Sequence, residues 1–146
     1  TVSYRIAAKH DDNIDININE FEDLKKLPRH KTVILSKFGT GTTKYLKNNV
    51  NLNIDDGAKN TKANLQKLLF DRGRFYIDYD LSLFFELEKL SQKDKIKVLP
   101  NEIEPYQHYA VFSKKVDKAL IHKINNSIVK LKKTERWNKI ISKYMR

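Results

Sequence analysis

The stretch KTVILSKFGTGTTKY, residues 31–45, places the strongest limits on the fold of this chain. Its residues 33–35 are Val-Ile-Leu, a β-rich apolar run typical of a strand covered on both faces. We therefore predict a strand over 32–36. Gly39 and Gly41 follow it, and glycine accepts backbone angles that other residues avoid, so a tight turn is expected next.

After that turn, Thr42 and Thr43 stand where a helix is predicted to begin. The first N–H groups of a helix have no partner inside it, and they carry the positive end of the helix dipole. Such a terminus suits a carboxylate or a phosphate. The alternative is an ordinary threonine-capped helix after a tight turn.

Length and composition exclude several classes of protein. A chain of 146 residues has the size of one domain and can bury a core. It contains no cysteine, which rules out a disulfide framework, a thiolate nucleophile and a cysteine-based metal site. The four histidines have no metal-ligand spacing. We therefore predict no metal, no cofactor and no catalytic residues.

The formal charge of +11 is unevenly distributed along the chain. Residues 107–146 contain 11 Lys and Arg against 2 acids, a net charge of +9, whereas the other 106 residues carry only +2. A basic tail on a balanced body is one signature of nucleic-acid or anionic-membrane binding. Because the tail has helical periodicity, solvated lysine faces on helices are the competing explanation, and we favour it.

Elsewhere the apolar periodicity alternates between strand and helix. Strands are predicted over 2–9, 50–54, 74–79, 95–99 and 106–113. Helices are predicted after a capping box of Asn19 and Glu22, after Asn60 or Thr61, and over 81–90. Residues 55–59 are predicted as a loop, and Gly73 as a left-handed helix end. The alternation indicates an α/β fold with a mainly parallel sheet flanked by helices.

The tail is predicted to form two helices. Apolar residues recur at helical steps at Val116, Leu120, Ile124, Ile128 and Leu131. A second series comprises Trp137, Ile140, Ile141, Tyr144 and Met145. The break falls at 132–135, with Thr134 as the cap of the second helix.

Several segments, in this order, resemble the type II periplasmic (family 3) solute-binding proteins, the amino-acid receptors of bacterial ABC importers. The segments are YRIAAKHDD, FEDLKKL, the glycine-Thr-Thr turn, LLFDRGRFYID, HYAVFSKK and INNSIVKLKKTERWNKIISKYM. The resemblance implies a hinge strand from lobe one over 1–7 and lobe two over 8–105. It also implies a return strand and two lobe-one helices over 106–146, so most of lobe one has no counterpart here.

The resemblance also implies a site. In that family the helix after the Gly-Thr-Thr turn receives the ligand's α-carboxylate, which points to Gly41, Thr42 and Thr43, with Thr40 as an alternative contact. An acid after the Gly-Arg strand holds the ligand's amino group. Asp80 is the nearest match and Asp78 competes with it.

The function implied is therefore binding of a small, amino-acid-like solute, without catalysis, in the periplasm or another extracytoplasmic space. The implied partner is the membrane permease of an ABC transporter, and self-association through exposed lobe-one helices is a further expectation. A sensing module of a signalling protein is the first alternative. A basic nucleic-acid-binding domain is the second.

Overall fold

The computed structural model describes residues 2–144, which divide into a first unit, residues 2–106, and a second unit, residues 107–144. The strands are β1 (Val2–Lys9), β2 (Ile34–Lys37), β3 (Ile54–Ala58), β4 (Phe75–Tyr79), β5 (Ile96–Val98) and β6 (Ile103–Tyr106). The helices are α1 (Gly41–Asn48), α2 (Thr61–Leu69), α3 (Asp80–Glu88), α4 (Lys118–Lys132) and α5 (Glu135–Tyr144). Two 3₁₀ segments, Phe21–Lys26 and Lys93–Lys95, complete the described elements.

The first unit is built on one six-stranded sheet with the order β3-β2-β4-β1-β5, in which β6 also pairs with β1. Strand β2 runs parallel to β3 and β4. Helix α1 connects β2 to β3, and helix α2 connects β3 to β4. Strand β1 runs antiparallel to β4, β5 and β6. The α/β class is thus confirmed, but the sheet is mixed rather than mainly parallel, because β1 runs in the opposite direction to its neighbours β4, β5 and β6.

Two apolar cores cover the two faces of this sheet. Ile6, Ile34 and Phe75 point to the face covered by Phe21 and Leu46. Their chain neighbours Ala7, Leu35 and Tyr76 point to the other face, which carries Leu65, Leu68 and Leu83 of α2 and α3. Successive strand residues alternate between faces, so the apolar run of β2 serves both cores.

The prediction for the third strand is wrong in position. Val50 and Leu52 are buried, but they lie in the connection before the strand, which begins at Ile54 and includes residues 55–58 of the segment predicted as a loop. Strand β3 is at an edge of the sheet, where acidic residues can point to water. Its Asp55 and Asp56 form ion pairs with Lys67 and Lys47.

Two local predictions also need correction. The left-handed residue after α2 is Asp71, with φ of 57°, rather than Gly73. Gly73 is needed for a different reason, since a Cβ there would lie 2.5 Å from Leu35 Cγ. In the first 3₁₀ segment, the carboxylate that accepts the backbone N–H groups of Asn19 and Glu20 is Asp23, one residue beyond the predicted Glu22.

The second unit consists of α4 and α5 after a connection over 107–117. The two predicted tail helices are confirmed, and the Thr134 hydroxyl accepts the Trp137 N–H at 3.4 Å, as a cap should. The strand predicted over 106–113 is wrong beyond Tyr106, where β6 ends: residues 107–113 are not in a strand, and Tyr109 and Val111 are exposed. Met145 lies outside the described residues.

Candidate functional site

The candidate site lies where β2 and β4 end and α1 begins. Gly39, with φ of 73°, turns the chain after β2, and Thr40 caps α1. The Thr40 Oγ1 accepts the Thr43 N–H at 3.2 Å. In an α/β sheet, the carboxyl ends of parallel strands are the usual location for ligands.

Gly41 and Thr42 are the first two residues of α1. Among the described residues, their N–H groups have no hydrogen-bond acceptor, as expected for the first turn of a helix. Gly41 is exposed, and a Cβ added to it would have no atom within 4 Å. The start of α1 is therefore open to solvent at Gly41, beside the first of these two amides.

Thr43 has a different role from its two predecessors. Its side chain is buried, and its Oγ1 donates to the carbonyl of Lys37 at 2.6 Å. The same hydroxyl lies 2.7 Å from Ser36 Oγ and 2.8 Å from Thr40 Oγ1. Thr40 and Thr43 therefore fix the turn, while Gly41 and Thr42 are left on its outer side.

Two tyrosines extend the site beyond α1. Tyr4 of β1 and Tyr79 of β4 are cross-strand partners, and their ring centroids lie 4.7 Å apart. The Tyr4 hydroxyl donates to the Tyr79 hydroxyl at 3.1 Å and is hydrogen-bonded to Thr42 Oγ1. We call Tyr4, Thr42 and Tyr79 the hydroxyl patch.

Asp78 lies at the end of β4, where its carboxylate is buried. It forms an ion pair with Lys37 at 2.8 Å and accepts the hydroxyls of Thr61 at 2.6 Å and Tyr76 at 2.5 Å. It also accepts the Tyr79 N–H at 2.8 Å. Burial, and then the charge of Asp78, raise the pKa of the Tyr76 phenol, so that this hydroxyl remains a donor.

Asp80 is the first residue of α3 and is also buried. Its Oδ2 accepts the backbone N–H of Ser3 at 3.1 Å and the Ser3 hydroxyl at 3.2 Å. Its Oδ1 accepts the Leu81 N–H at 2.6 Å. The carboxylate therefore ties β1 to the start of α3.

The structure places Gly41, Thr42 and Asp78 at the same edge of the sheet. It adds Lys37, Tyr4 and Tyr79 there, which the sequence pattern did not predict. The role of Lys37 could have been predicted from the sequence, because Lys37 directly follows the buried residues of β2. A polar residue at that position lies at the carboxyl end of the strand. The two tyrosines could not, because their pairing depends on β1 lying beside β4.

Two further features bear on function. Within residues 2–144, no group of three or more histidine, aspartate or glutamate side chains is placed to hold a metal ion. Over the same residues, no helix combines the length and the apolar character that crossing a membrane requires.

The sequence matches no protein-family model and no curated protein. Solved structures do match. The second substrate-binding domain of a putative amino-acid ABC transporter from Streptococcus pneumoniae shares 22% identity, with a TM-score of 0.69 over 100% of this chain and 62% of that chain. A cysteine-binding protein from Campylobacter jejuni shares 24% identity, with a TM-score of 0.61 over 99% of this chain and 54% of that chain.

An ancestral cationic amino-acid solute-binding protein shares 20% identity, with a TM-score of 0.69 over 99% of this chain and 58% of that chain. The chain thus spans roughly three fifths of the length of these structures. At these identities the likeness establishes the fold. The chain has the type II periplasmic solute-binding fold.

Proposed function

We propose that this chain binds a small, amino-acid-like solute and that the open first turn of α1 holds the carboxylate of that solute. The observation that carries the proposal is the pair of N–H groups of Gly41 and Thr42, which have no acceptor among the described residues and lie at an exposed start of α1 with open space beside Gly41. Two amides at the positive end of a helix form strong, charge-assisted hydrogen bonds to a carboxylate.

The surrounding residues support this assignment because they hold the two amides in place. Thr40 and Thr43 fix the turn through their hydroxyls, and the Tyr4 hydroxyl, which also bonds to Tyr79, restrains Thr42 from the β1 side. A rigid donor pair loses little conformational freedom when an anion binds. In this proposal Gly41 and Thr42 contact the solute, while Thr40 and Thr43 position them.

The amino group of the solute is the second element of the proposal. Asp78 or Asp80 was expected to hold it, and this stays a prediction. Each carboxylate already accepts several internal donors, so binding an ammonium would require one of those donors to be exchanged.

The fold favours a particular cellular role. Residues 8–105 would form lobe two, 1–7 would be the hinge strand that comes from lobe one, and 106–146 would contain the return strand and two helices of lobe one. Two lobes closing on a solute would present a surface that the permease of an ABC importer reads outside the cytoplasm. Several proteins of this fold are described as amino-acid-binding, which supports the solute class. A sensing module would use the same site, and the domains encoded in the same gene distinguish the two roles.

Calorimetry with the twenty amino acids tests the proposal. At least one of them should release or absorb heat with a saturable isotherm, and the same solute should raise the melting temperature of the protein. The absence of any heat and any thermal shift across the whole panel would contradict the proposal.

A further inference from the structure

A cavity of about 340 Å³ lies at the amino end of β2, whereas α1 follows the carboxyl end of that strand. Its floor consists of buried side chains of the core that contains Phe21: Leu24, Leu27, Ile34, Val50 and Leu52. Its other lining residues are polar or charged: Lys25, Arg29, Thr32, Asn51 and Asn53. Small-molecule sites are typically cavities of roughly 300–1,000 Å³ with an apolar lining and a few polar groups, and this cavity has both properties.

The rim of this cavity is positively charged. Lys25 and Arg29 are exposed, and among the described residues neither of them forms an ion pair. No aspartate or glutamate lines the cavity. The nearest acids in the sequence are engaged elsewhere, since Asp23 pairs with Lys26 at 2.5 Å and Glu22 accepts a hydroxyl of α1 at 3.1 Å. Two unpaired cations beside an apolar floor are complementary to an anion with an apolar body.

Thr32 adds an unpaired hydroxyl to this lining. The residue is only 4% exposed, and its side-chain hydroxyl has no hydrogen-bond partner among the described residues. Buried hydroxyls are nearly always hydrogen-bonded in folded proteins, because a buried polar group without a partner is costly. An acceptor oxygen of a molecule in the cavity would satisfy this donor.

We infer that this cavity binds a small amphipathic carboxylate, a molecule with an apolar body and one anionic head. The body covers the apolar floor, where each buried methylene raises the affinity roughly fourfold. The head accepts the Thr32 hydroxyl and lies beside the cations of Lys25 and Arg29. A cationic head on the same body meets like charges. Because the cavity is separate from the start of α1, the inference does not depend on the proposed function.

The experiment is a titration of the full, isotope-labelled chain with octanoate, octylammonium and acetate, followed by the NMR shifts of the backbone amides. Octylammonium has the same apolar body with the opposite charge, and acetate has the same charge without the body. Octanoate should shift the amides of residues 24–34 and 50–53 in a saturable manner. Both other probes should bind at least roughly tenfold more weakly.

Variants then test each part of the lining. The double variant Lys25→Gln and Arg29→Gln should weaken octanoate binding roughly tenfold. Lys62→Gln is the matched control, because Lys62 is exposed on α2, which packs on the other face of the sheet, and it should leave the affinity unchanged. Thr32→Val replaces the unpaired hydroxyl with a methyl group. It should weaken octanoate binding roughly 2- to 10-fold without lowering the melting temperature.

Several results would overturn the inference. One is equal affinity for octanoate and octylammonium, and another is a double variant that binds octanoate as tightly as Lys62→Gln does. A third is a set of shifts confined to residues 118–144, where α4 and α5 also expose apolar side chains among lysines. Shifts confined to the start of α1, or no octanoate binding at millimolar concentration, would overturn it and leave the proposed function intact, since amino acids test that function.

Discussion

The Lys37 ammonium lies 2.8 Å from the Asp78 carboxylate, and the two residues are the last and the next-to-last of adjacent parallel strands. Only 1% of the Asp78 side chain and 19% of the Lys37 side chain are exposed. The ion pair links β2 to β4 at the edge of the sheet where α1 begins. The ion pair is therefore expected to contribute to the stability of this edge of the sheet.

Loss of the Asp78 carboxylate should be costly. Asp78→Ala leaves the Lys37 ammonium and the hydroxyls of Thr61 and Tyr76 without their acceptor, so we expect about 3–5 kcal/mol of destabilisation. Chemical denaturation measures this change. The control is Asp56→Ala, which breaks a half-exposed pair with Lys47 and should cost no more than about 1 kcal/mol. Equal costs for the two variants would contradict the role assigned to Asp78.

A methyl group at Gly73 should destabilise the protein. The added Cβ would lie 2.5 Å from Cγ of Leu35, a fully buried residue in the core beneath α2 and α3, so overpacking of about 1–3 kcal/mol is expected. Gly41→Ala is the matched variant, because its Cβ meets no atom within 4 Å and should leave the melting temperature nearly unchanged. If Gly73→Ala were equally neutral, the close approach of Gly73 to Leu35 would not be a constraint.

Acid should remove the contribution of Asp23 to stability. A hydrogen bond from Lys26, followed by the backbone N–H groups of Asn19 and Glu20, lowers the pKa of Asp23 from 3.8 to about 2. Because the folded state holds the carboxylate ionised more strongly than the unfolded chain does, the stabilisation is complete above about pH 4. It is lost as the pH falls towards 2.

The melting temperatures of the wild type and of Asp23→Asn, measured between pH 5 and pH 2, check this window. The difference between the two proteins should shrink as the pH falls from 4 to 2. A difference that stays constant over the whole range would show that the Asp23 charge does not contribute to stability.

The strand–turn–helix over 31–45 could be predicted because its signals are local. An apolar β-branched run, glycines and threonines each restrict their own backbone, and α1 begins within one residue of the expected position. The position of β3 could not be predicted. Val50 and Leu52 have the burial of strand residues, but the sheet pairs the following segment, Ile54–Ala58, whose acids are tolerated at an edge.

The candidate site could be predicted in part, for the same reason. Gly41 and Thr42 were predictable from the helix start itself. The contacts among Lys37, Tyr79 and Tyr4 depend on strand order and register. The sequence of a single strand does not determine either of these. The saturation of Asp78 by four donors likewise depends on residues that are distant along the chain.

The central claim is that the open amides of α1 bind the solute's carboxylate, and Gly41→Pro tests it most directly. Proline is well tolerated at the first helical position and removes one N–H donor, and Thr40, with ψ of 151°, already has the extended backbone that precedes proline. Gly41→Ala retains the N–H and is the control.

Calorimetry with the tightest-binding amino acid should show affinity reduced on the order of 10- to 100-fold in Gly41→Pro relative to Gly41→Ala. Both variants should melt within a few degrees of the wild type. Equal affinities in two folded variants would contradict the claim that the Gly41 amide holds the solute.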